Sequence, residues 1–290
     1  MAPTIAITGS ASGIGAAIAK LYASKGYNLV LSDSVPSVLK STTEYIQSQF
    51  PSIQILSQQT DVSKLSELES LRDAALAKFK AVDVVVLNAG VHGNYKTEEF
   101  GWWGNPEGMR KLFDVNLFGV INGISAFLPT LRTQAKAGST TRVVITISKQ
   151  GISNPPGNPA YNASKAAVRF LGEQLSYDLK DENVKVHMLA PGWTYTGMVG
   201  GAPGIYIDSV HGSKKPEGAW TPDEVAEYLE KGIAKEDAFI ICPDNETSSE
   251  TDKIRFEWTA GDITVPRLPL SRWRSEYKDE YASFDAARRK

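Results

Sequence analysis

Short, almost wholly apolar runs alternate with amphipathic stretches along residues 1–243. The runs cover 4–8, 27–32, 53–56, 82–87, 142–147, 184–189 and 238–242. Two of them read V-D-V-V-V-L and R-V-V-I-T-I, the pattern of strands covered on both faces. Between them, 14–24, 64–79, 160–179 and 222–231 carry apolar residues at helical spacing. Strand and helix in regular alternation, joined by right-handed crossovers, predict an α/β fold: a doubly wound parallel sheet of about seven strands with helices on both faces. The pattern changes at Asp244. Of the 47 residues from there to 290, 19 are charged, with Trp258, Leu268, Leu270, Trp273, Tyr277, Tyr281 and Phe284 as apolar anchors. This divides the chain into a domain over 1–243 and a charged extension over 244–290 packed on its surface. Pro266 and Pro269 predict an extended middle for the extension, and 272–287 a short helix.

The first apolar run leads into Gly9-Ser-Ala-Ser-Gly13-Ile14-Gly15 and then a helical stretch. Glycines at a strand-to-helix turn let backbone approach a pyrophosphate closely, and the helix start offers free N–H groups. Ser12 stands in this turn where a basic residue would serve a 2′-phosphate. Asp33 ends the second run, with no Arg or Lys beside it. A carboxylate there accepts hydrogen bonds from ribose hydroxyls and repels a 2′-phosphate, so NAD is expected rather than NADP. Asp61 and Val62 follow the third run and can flank an adenine; Asn88, Ala89 and Gly90 end the fourth, where small residues let a cofactor lie against backbone.

Tyr161 and Lys165 are four apart in a helical stretch, so phenol and ammonium share a face. A nearby cation is expected to lower the phenol pKa and make it a proton carrier near neutral pH. Ser148 follows the fifth run and sits at the same sheet edge. It lies outside a G-x-S-x-G turn and lacks a His partner, so a hydrogen bond to a carbonyl oxygen suits it better than nucleophilic attack. Asn116, in an apolar helix, needs a partner such as a water or a backbone carbonyl near Lys165.

Other function classes fall away on composition. Net charge is −2, from 31 basic and 33 acidic residues, which removes the main attraction to nucleic acid. The single cysteine, Cys242, excludes an internal disulfide. His92, His187 and His211 are widely spread, so no metal site is expected. We see neither an uninterrupted apolar run of membrane-spanning length nor a basic segment leading into one, and expect a cytoplasmic protein with no membrane partner.

Taken in register, Thr8-Gly9-x3-Gly13-Ile14-Gly15, Asp61-Val62, Asn88-Ala89-Gly90, Asn116, Ser148, Tyr161-x3-Lys165 and Pro191-Gly192-x3-Thr196 resemble the short-chain dehydrogenase/reductase family in its single-domain form. The resemblance implies a Rossmann-like fold and hydride transfer between NAD(H) and a secondary alcohol or ketone. It implies Tyr161 as general acid/base, Lys165 on the nicotinamide ribose, Ser148 on the substrate oxygen, and Asn116 holding a relay water. Pro191, Gly192, Thr194 and Thr196 would then line the nicotinamide and phosphate side. The loop over 193–219 is expected to be a lid, with Trp193, Tyr195, Met198, Ile205, Tyr206 and Ile207 as pocket wall and Gly197, Gly200, Gly201 and Gly204 for mobility. Trp102 and Trp103 are expected near the same opening. Together they suggest a mid-sized apolar or aromatic small-molecule substrate. Gln150 is expected at the pocket, while Lys149 and His92 are expected to be solvated. The usual glycine-rich ending is replaced by Ile241-Cys242-Pro243-Asp244-Asn245, and the tail resembles extensions of some fungal-type members. This disfavours a tetramer and leaves a homodimer through the helices bearing 116–131 and 161–179. The competing readings are a lyase or cyclase on the same scaffold, or an NAD-binding regulatory protein.

Overall fold

The computed structural model describes residues 2–93, 95–199 and 215–289. Seven strands form one parallel sheet: β1 (Thr4–Thr8), β2 (Asn28–Asp33), β3 (Ile55–Gln59), β4 (Val84–Leu87), β5 (Thr141–Thr146), β6 (Val184–Ala190) and β7 (Phe239–Ile241). Their order is β3-β2-β1-β4-β5-β6-β7. The order reverses between β1 and β4, which opens a crevice at the carboxyl ends of the strands.

The helices are α1 (Gly13–Ser24), α2 (Pro36–Gln49), α3 (Leu65–Phe79), α4 (Pro106–Phe113), α5 (Gly119–Lys136), α6 (Gln150–Ser153), α7 (Pro159–Asp178), α8 (Pro222–Ala234), α9 (Ser249–Thr264) and α10 (Lys278–Arg288). On one face α3, α5 and α7 pack Leu71, Phe127, Leu131 and Val168 against the sheet. On the other, α1, α2 and α8 pack Ile18, Ile46 and Leu229. Each such side chain, fully buried, contributes about 1.5–3 kcal/mol.

A five-residue π turn, Asp114–Phe118, joins α4 to α5 into one helix. That helix, Pro106–Lys136, is long and apolar enough to cross a membrane by length and composition. Counting uninterrupted apolar residues misses it because Asn116, Asn122 and Ser125 break the run. Its apolarity has a packing cause: Val120, Ala126, Phe127 and Leu131 belong to the core beneath the sheet.

The tail differs most from expectation. Helix α9 was not predicted, and the helix expected over 272–287 begins only at Lys278, after two short turns, Ser271–Trp273 and Ser275–Tyr277. Leu268 is exposed rather than an anchor. The centre of the tail is Trp258, which is 1% exposed. Its ring meets Tyr281 and Phe284 edge-on, with centroids 5.2 and 5.0 Å away. Arg267 lies 3.7 Å above its face, and its indole N–H donates to Ser271 Oγ at 2.7 Å. The tail joins the sheet domain through Lys149, whose ammonium is 2.6 Å from Asp252 and 3.5 Å from Asp244. Lys149 was expected to be solvated; its side chain is 11% exposed because these carboxylates enclose it.

Candidate active site

A cavity of about 600 Å³ runs along the carboxyl edge of the sheet. At its nucleotide end Gly9, Ser12, Gly13, Ile14 and Asp33 line the wall. Gly9 has φ of +64°, and a Cβ there would lie 2.8 Å from the Ala89 Cα. Only glycine meets both demands. The first turn of α1 holds no acid, and Ser12 makes no side-chain cap. Its N–H groups are therefore left to the cavity. Gly15 does not line the cavity; it is packed against the Gly9 carbonyl and lets α1 start close to β1.

Asp33 Oδ2 accepts from Ala11 N at 3.1 Å and Oδ1 from Val35 N at 3.1 Å. Each oxygen keeps acceptor capacity for a ligand. Asp61 and Val62 depart from expectation, since neither is among the lining residues. Asp61 turns to Ser63, whose N and Oγ donate at 3.0 and 2.7 Å, while Val62 packs on Gly119. Asn88, Ala89 and Gly90 do line the cavity. Asn88 also binds three strands together: Nδ2 donates to Thr8 O and Gly9 O, and Oδ1 accepts from Thr146 Oγ1.

At the other end the cavity reaches Ser148, Gln150, Tyr161 and Lys165. Ser148 Oγ accepts from Gln150 N at 3.2 Å, so its own proton points the other way, as a donor toward the Tyr161 hydroxyl. Asn158 caps α7, its Oδ1 accepting from Tyr161 N at 3.1 Å. Its Nδ2 donates to His92 O and Gly93 O at 2.9 and 3.1 Å, tying the loop after β4 to the Tyr161 helix. Asn116 grips the same loop. Oδ1 accepts from Val91 N at 2.8 Å, and Nδ2 donates to Val91 O at 2.9 Å and Ser164 Oγ at 3.2 Å. The partner anticipated for Asn116 is thus a backbone carbonyl, that of Val91. A Cβ on Gly90 would sit 3.3 Å from Asn116 Oδ1 and 3.5 Å from Lys165 Nζ, so all three share one corner.

The electrostatics correct one expectation. Burial pushes the Tyr161 phenol above its ordinary range, and a hydrogen bond with Ser148 draws it partly back. Lys165 lies 5.9 Å from the ring centroid, but loss of water outweighs its field. Burial also lowers Lys165 to about 8, and its ammonium donates to Thr146 O at 2.8 Å. In the unfolded chain this lysine titrates near 10.4. Between those values the unfolded state holds the extra proton, so Lys165 makes stability rise with pH. The stability difference between wild type and Lys165→Met is therefore expected to change by up to about 1.4 kcal/mol per pH unit from pH 8 to 10, in favour of wild type. Urea melts at each pH check this; a flat difference would contradict it.

Of the remaining expected residues, Pro191, Gly192, Trp193, Thr194, Thr196 and Met198 all line the cavity. Thr196 lies against Gly13, where a Cβ would be 3.1 Å from its Cγ2. Tyr195 is buried and is not among the lining residues. Trp102 and Trp103 do not line the cavity either, and Trp103 is 76% exposed because its short turn projects from the surface. The lid positions Gly200, Gly201, Gly204, Ile205, Tyr206 and Ile207, with His211, lie outside the described residues. His92 was expected to be solvated. It lines the cavity instead, its ring centroid 4.8 Å from that of Tyr161. His187 is buried in β6, with Nδ1 2.8 Å from Asp237 O. Among the described residues no His, Cys, Asp and Glu cluster could hold a metal.

Residues 3–203 match the family model for short chain dehydrogenase. The chain belongs to the short-chain dehydrogenase family. Diacetyl reductase [(S)-acetoin forming] of Staphylococcus epidermidis is 32% identical over 198 residues, 68% of this chain and 74% of that protein. A short-chain dehydrogenase/reductase from Burkholderia phymatum, solved in complex with NAD, superposes with a TM-score of 0.78 at 26% identity, covering 92% of this chain and 96% of that one. An alcohol dehydrogenase from Thermococcus sibiricus, complexed with 5-hydroxy-NADP, gives 0.68 at 28% identity, covering 81% and 91%. Membership makes this an oxidoreductase fold for a nicotinamide cofactor. The residues fit such a group. The turn at Gly9 and Gly13 is open, the α1 start has no side-chain cap, and among the described residues the buried Lys165 ammonium donates to one acceptor, Thr146 O, of three donor positions.

Sequence reasoning missed the contribution of the tail. Asp244, Thr247, Asp252, Arg255, Phe256 and Arg272 line the cavity of this short-chain dehydrogenase. No local motif marks them. Asn158 was legible in principle, since Asn-Pro before a helical stretch signals an N-cap.

Proposed function

We propose that the protein interconverts a secondary alcohol and a ketone with NAD(H), and that Tyr161 Oη carries the proton. The supporting observation is convergence: Ser148, Tyr161 and Lys165 share one cavity with the glycine turn and Asp33. The turn at Gly9, Ser12, Gly13 and Ile14 would hold the pyrophosphate, Asp33 the adenosine ribose, and Lys165 the nicotinamide ribose. Asn88, Ala89, Gly90, Pro191, Gly192, Thr194 and Thr196 would line the rest of the cofactor. When bound, the nicotinamide supplies the acceptor or donor of a hydride. In oxidation, Tyr161 Oη takes the alcohol proton; in reduction it returns a proton to the carbonyl oxygen. With substrate bound, Ser148 donates its proton to that same oxygen and orients it. Asn116 positions the loop from Asn88 to His92 that borders both groups. Trp193, Met198 and Phe256 give the substrate end an apolar wall suited to a mid-sized organic body.

We favour NAD over NADP because Asp33 lines the cavity and no Arg or Lys adjoins it in the sequence. Asp33→Ala is expected to weaken NADH binding about tenfold or more, the loss of a charged hydrogen bond, and to move the NADPH-to-NADH preference toward one. Fluorescence titration of both cofactors measures this; unchanged selectivity would remove the assignment. Residues 1–243 would form the catalytic unit and 244–290 an extension that completes its cavity. A cytoplasmic location suits a chain whose single Cys242 is buried and unpaired. Exposed Phe118, Ile121, Phe170 and Tyr177 on the helices after β4 and β5 support a homodimer, which sedimentation would detect. A panel of secondary alcohols and ketones followed at the nicotinamide absorbance tests the activity. Tight NADH binding without turnover of any of them would favour the regulatory reading.

A further inference from the structure

Five charged side chains meet where the tail closes the cavity: Lys149, Asp244, Asp252, Arg255 and Arg272. Lys149 is committed to the two carboxylates. Asp244 is committed too, for Oδ2 also accepts from Trp193 N at 3.2 Å and Oδ1 from Glu246 N and Thr247 N at 3.0 and 2.8 Å. The arginines are not so engaged. Among the described residues neither forms a salt bridge, and the Nε of each is buried without a hydrogen-bond partner. Arg255 Nη1 donates to Thr247 Oγ1 at 3.0 Å, and the Arg272 guanidinium lies 4.1 Å over the Trp273 ring. Arg272 also has a side-chain hydrogen bond with Tyr281, and it feels the charges of Asp252 and of Arg255, a like charge. An unpaired buried donor costs about 1–3 kcal/mol. Two of them beside one another, opening on a cavity, ask for an anion.

That anion is not the cofactor's phosphate. The tail springs from β7, which lies four strand steps from β1 and five from β2. At the usual strand spacing of about 4.8 Å this is roughly 19 and 24 Å. The glycine turn and Asp33 are therefore far away, and the arginines stand on the side of Ser148, whose next residue, Lys149, ties the tail down. A planar fork of N–H donors matches a carboxylate.

We propose that Arg255 and Arg272 form a carboxylate-binding subsite, which makes the substrate a hydroxy acid or oxo acid with an apolar body. The proposal deepens the oxidoreductase reading and takes its reaction from it. Phe256 and Met198 border the apolar part, and the arginines hold the acid group at the far wall.

The test pairs oxo acids of increasing chain length with their own methyl esters, each assayed with NADH. At one length wild type should prefer the acid at least tenfold in kcat/KM. Arg255→Gln and Arg272→Gln should each bring the acid-to-ester ratio toward one, chiefly through KM, and Arg272→Lys should retain part of it. Circular dichroism melts establish that the variants fold. Calorimetric titration with phenylacetate, 3-phenylpropionate and 4-phenylbutyrate provides a readout without turnover. Turnover of neutral ketones with a ratio near one at every length overturns the subsite and leaves the oxidoreductase reading standing. Carboxylate binding that disappears in both folded variants, with no turnover of any compound, supports the subsite and removes the oxidoreductase reading. Carboxylate binding equal in wild type and variants overturns the subsite.

Discussion

Tyr161→Phe is expected to lower kcat by about 10²–10⁴-fold while NADH still binds, because one hydroxyl is lost and the ring remains. The phenyl ring keeps its contact with His92, and Asn158 still caps the helix through backbone N–H. What disappears is the hydroxyl that hydrogen-bonds Ser148 and that we propose moves the proton. Burial holds the phenol pKa up, so in the free enzyme it is protonated over the neutral range. On the proposed mechanism it is then ready as the acid for ketone reduction, whereas alcohol oxidation needs the phenolate. Oxidation should accordingly gain with rising pH more than reduction does. Stopped-flow traces of NADH binding together with steady-state turnover in both directions would separate these effects. Turnover within tenfold of wild type in the variant would remove Tyr161 from the chemistry.

Lys149→Ala is expected to destabilise the fold by about 3–5 kcal/mol, the cost of leaving buried charge without its partner. Asp252 is 2% exposed, and its carboxyl is already pushed above the usual carboxylate range, by burial first, although Lys149 pulls it down. Without the ammonium, Asp244 and Asp252 repel each other, and Arg255 is left as a more distant cation acting on Asp252. The loss should shrink in acid, because a raised carboxyl pKa means the folded state takes up its proton first as pH falls. Lys149→Met combined with Asp252→Leu should recover part of the stability, since the Asp252 charge is gone and Asp244 keeps its three backbone N–H donors. Denaturant midpoints at pH 4 and pH 7 for the three proteins measure this. A single-variant loss below about 1 kcal/mol would show that the pair is solvated in practice.

The parts of this molecule governed by near neighbours were readable from the chain. β1 falls on its apolar run because both faces are covered and nothing polar interrupts it. Tyr161 and Lys165 share a helix face by spacing alone, and Gly9 announces its turn. Long-range contacts were not readable. Lys149 looks like a surface lysine until Asp252, far along the chain, folds against it. Helix α9 reads E-T-D-K-I-R-F-E-W, a run of charges in which Ile254 and Trp258 alone mark a buried stripe. The phenol pKa failed for a related reason: spacing reveals a neighbouring charge, whereas the degree of dehydration is a property of the assembled cavity. Arg255 and Arg272 lay in a stretch with no local signature, so only the folded tail reveals that they open on the site.

Because α9 and Arg272 follow β7 along the chain, the sheet and its glycine turn are synthesised before this wall of the cavity exists. A chain stopped near residue 243 would lack Asp244, Thr247, Asp252, Arg255, Phe256 and Arg272, and the cavity would stand open on the side they line.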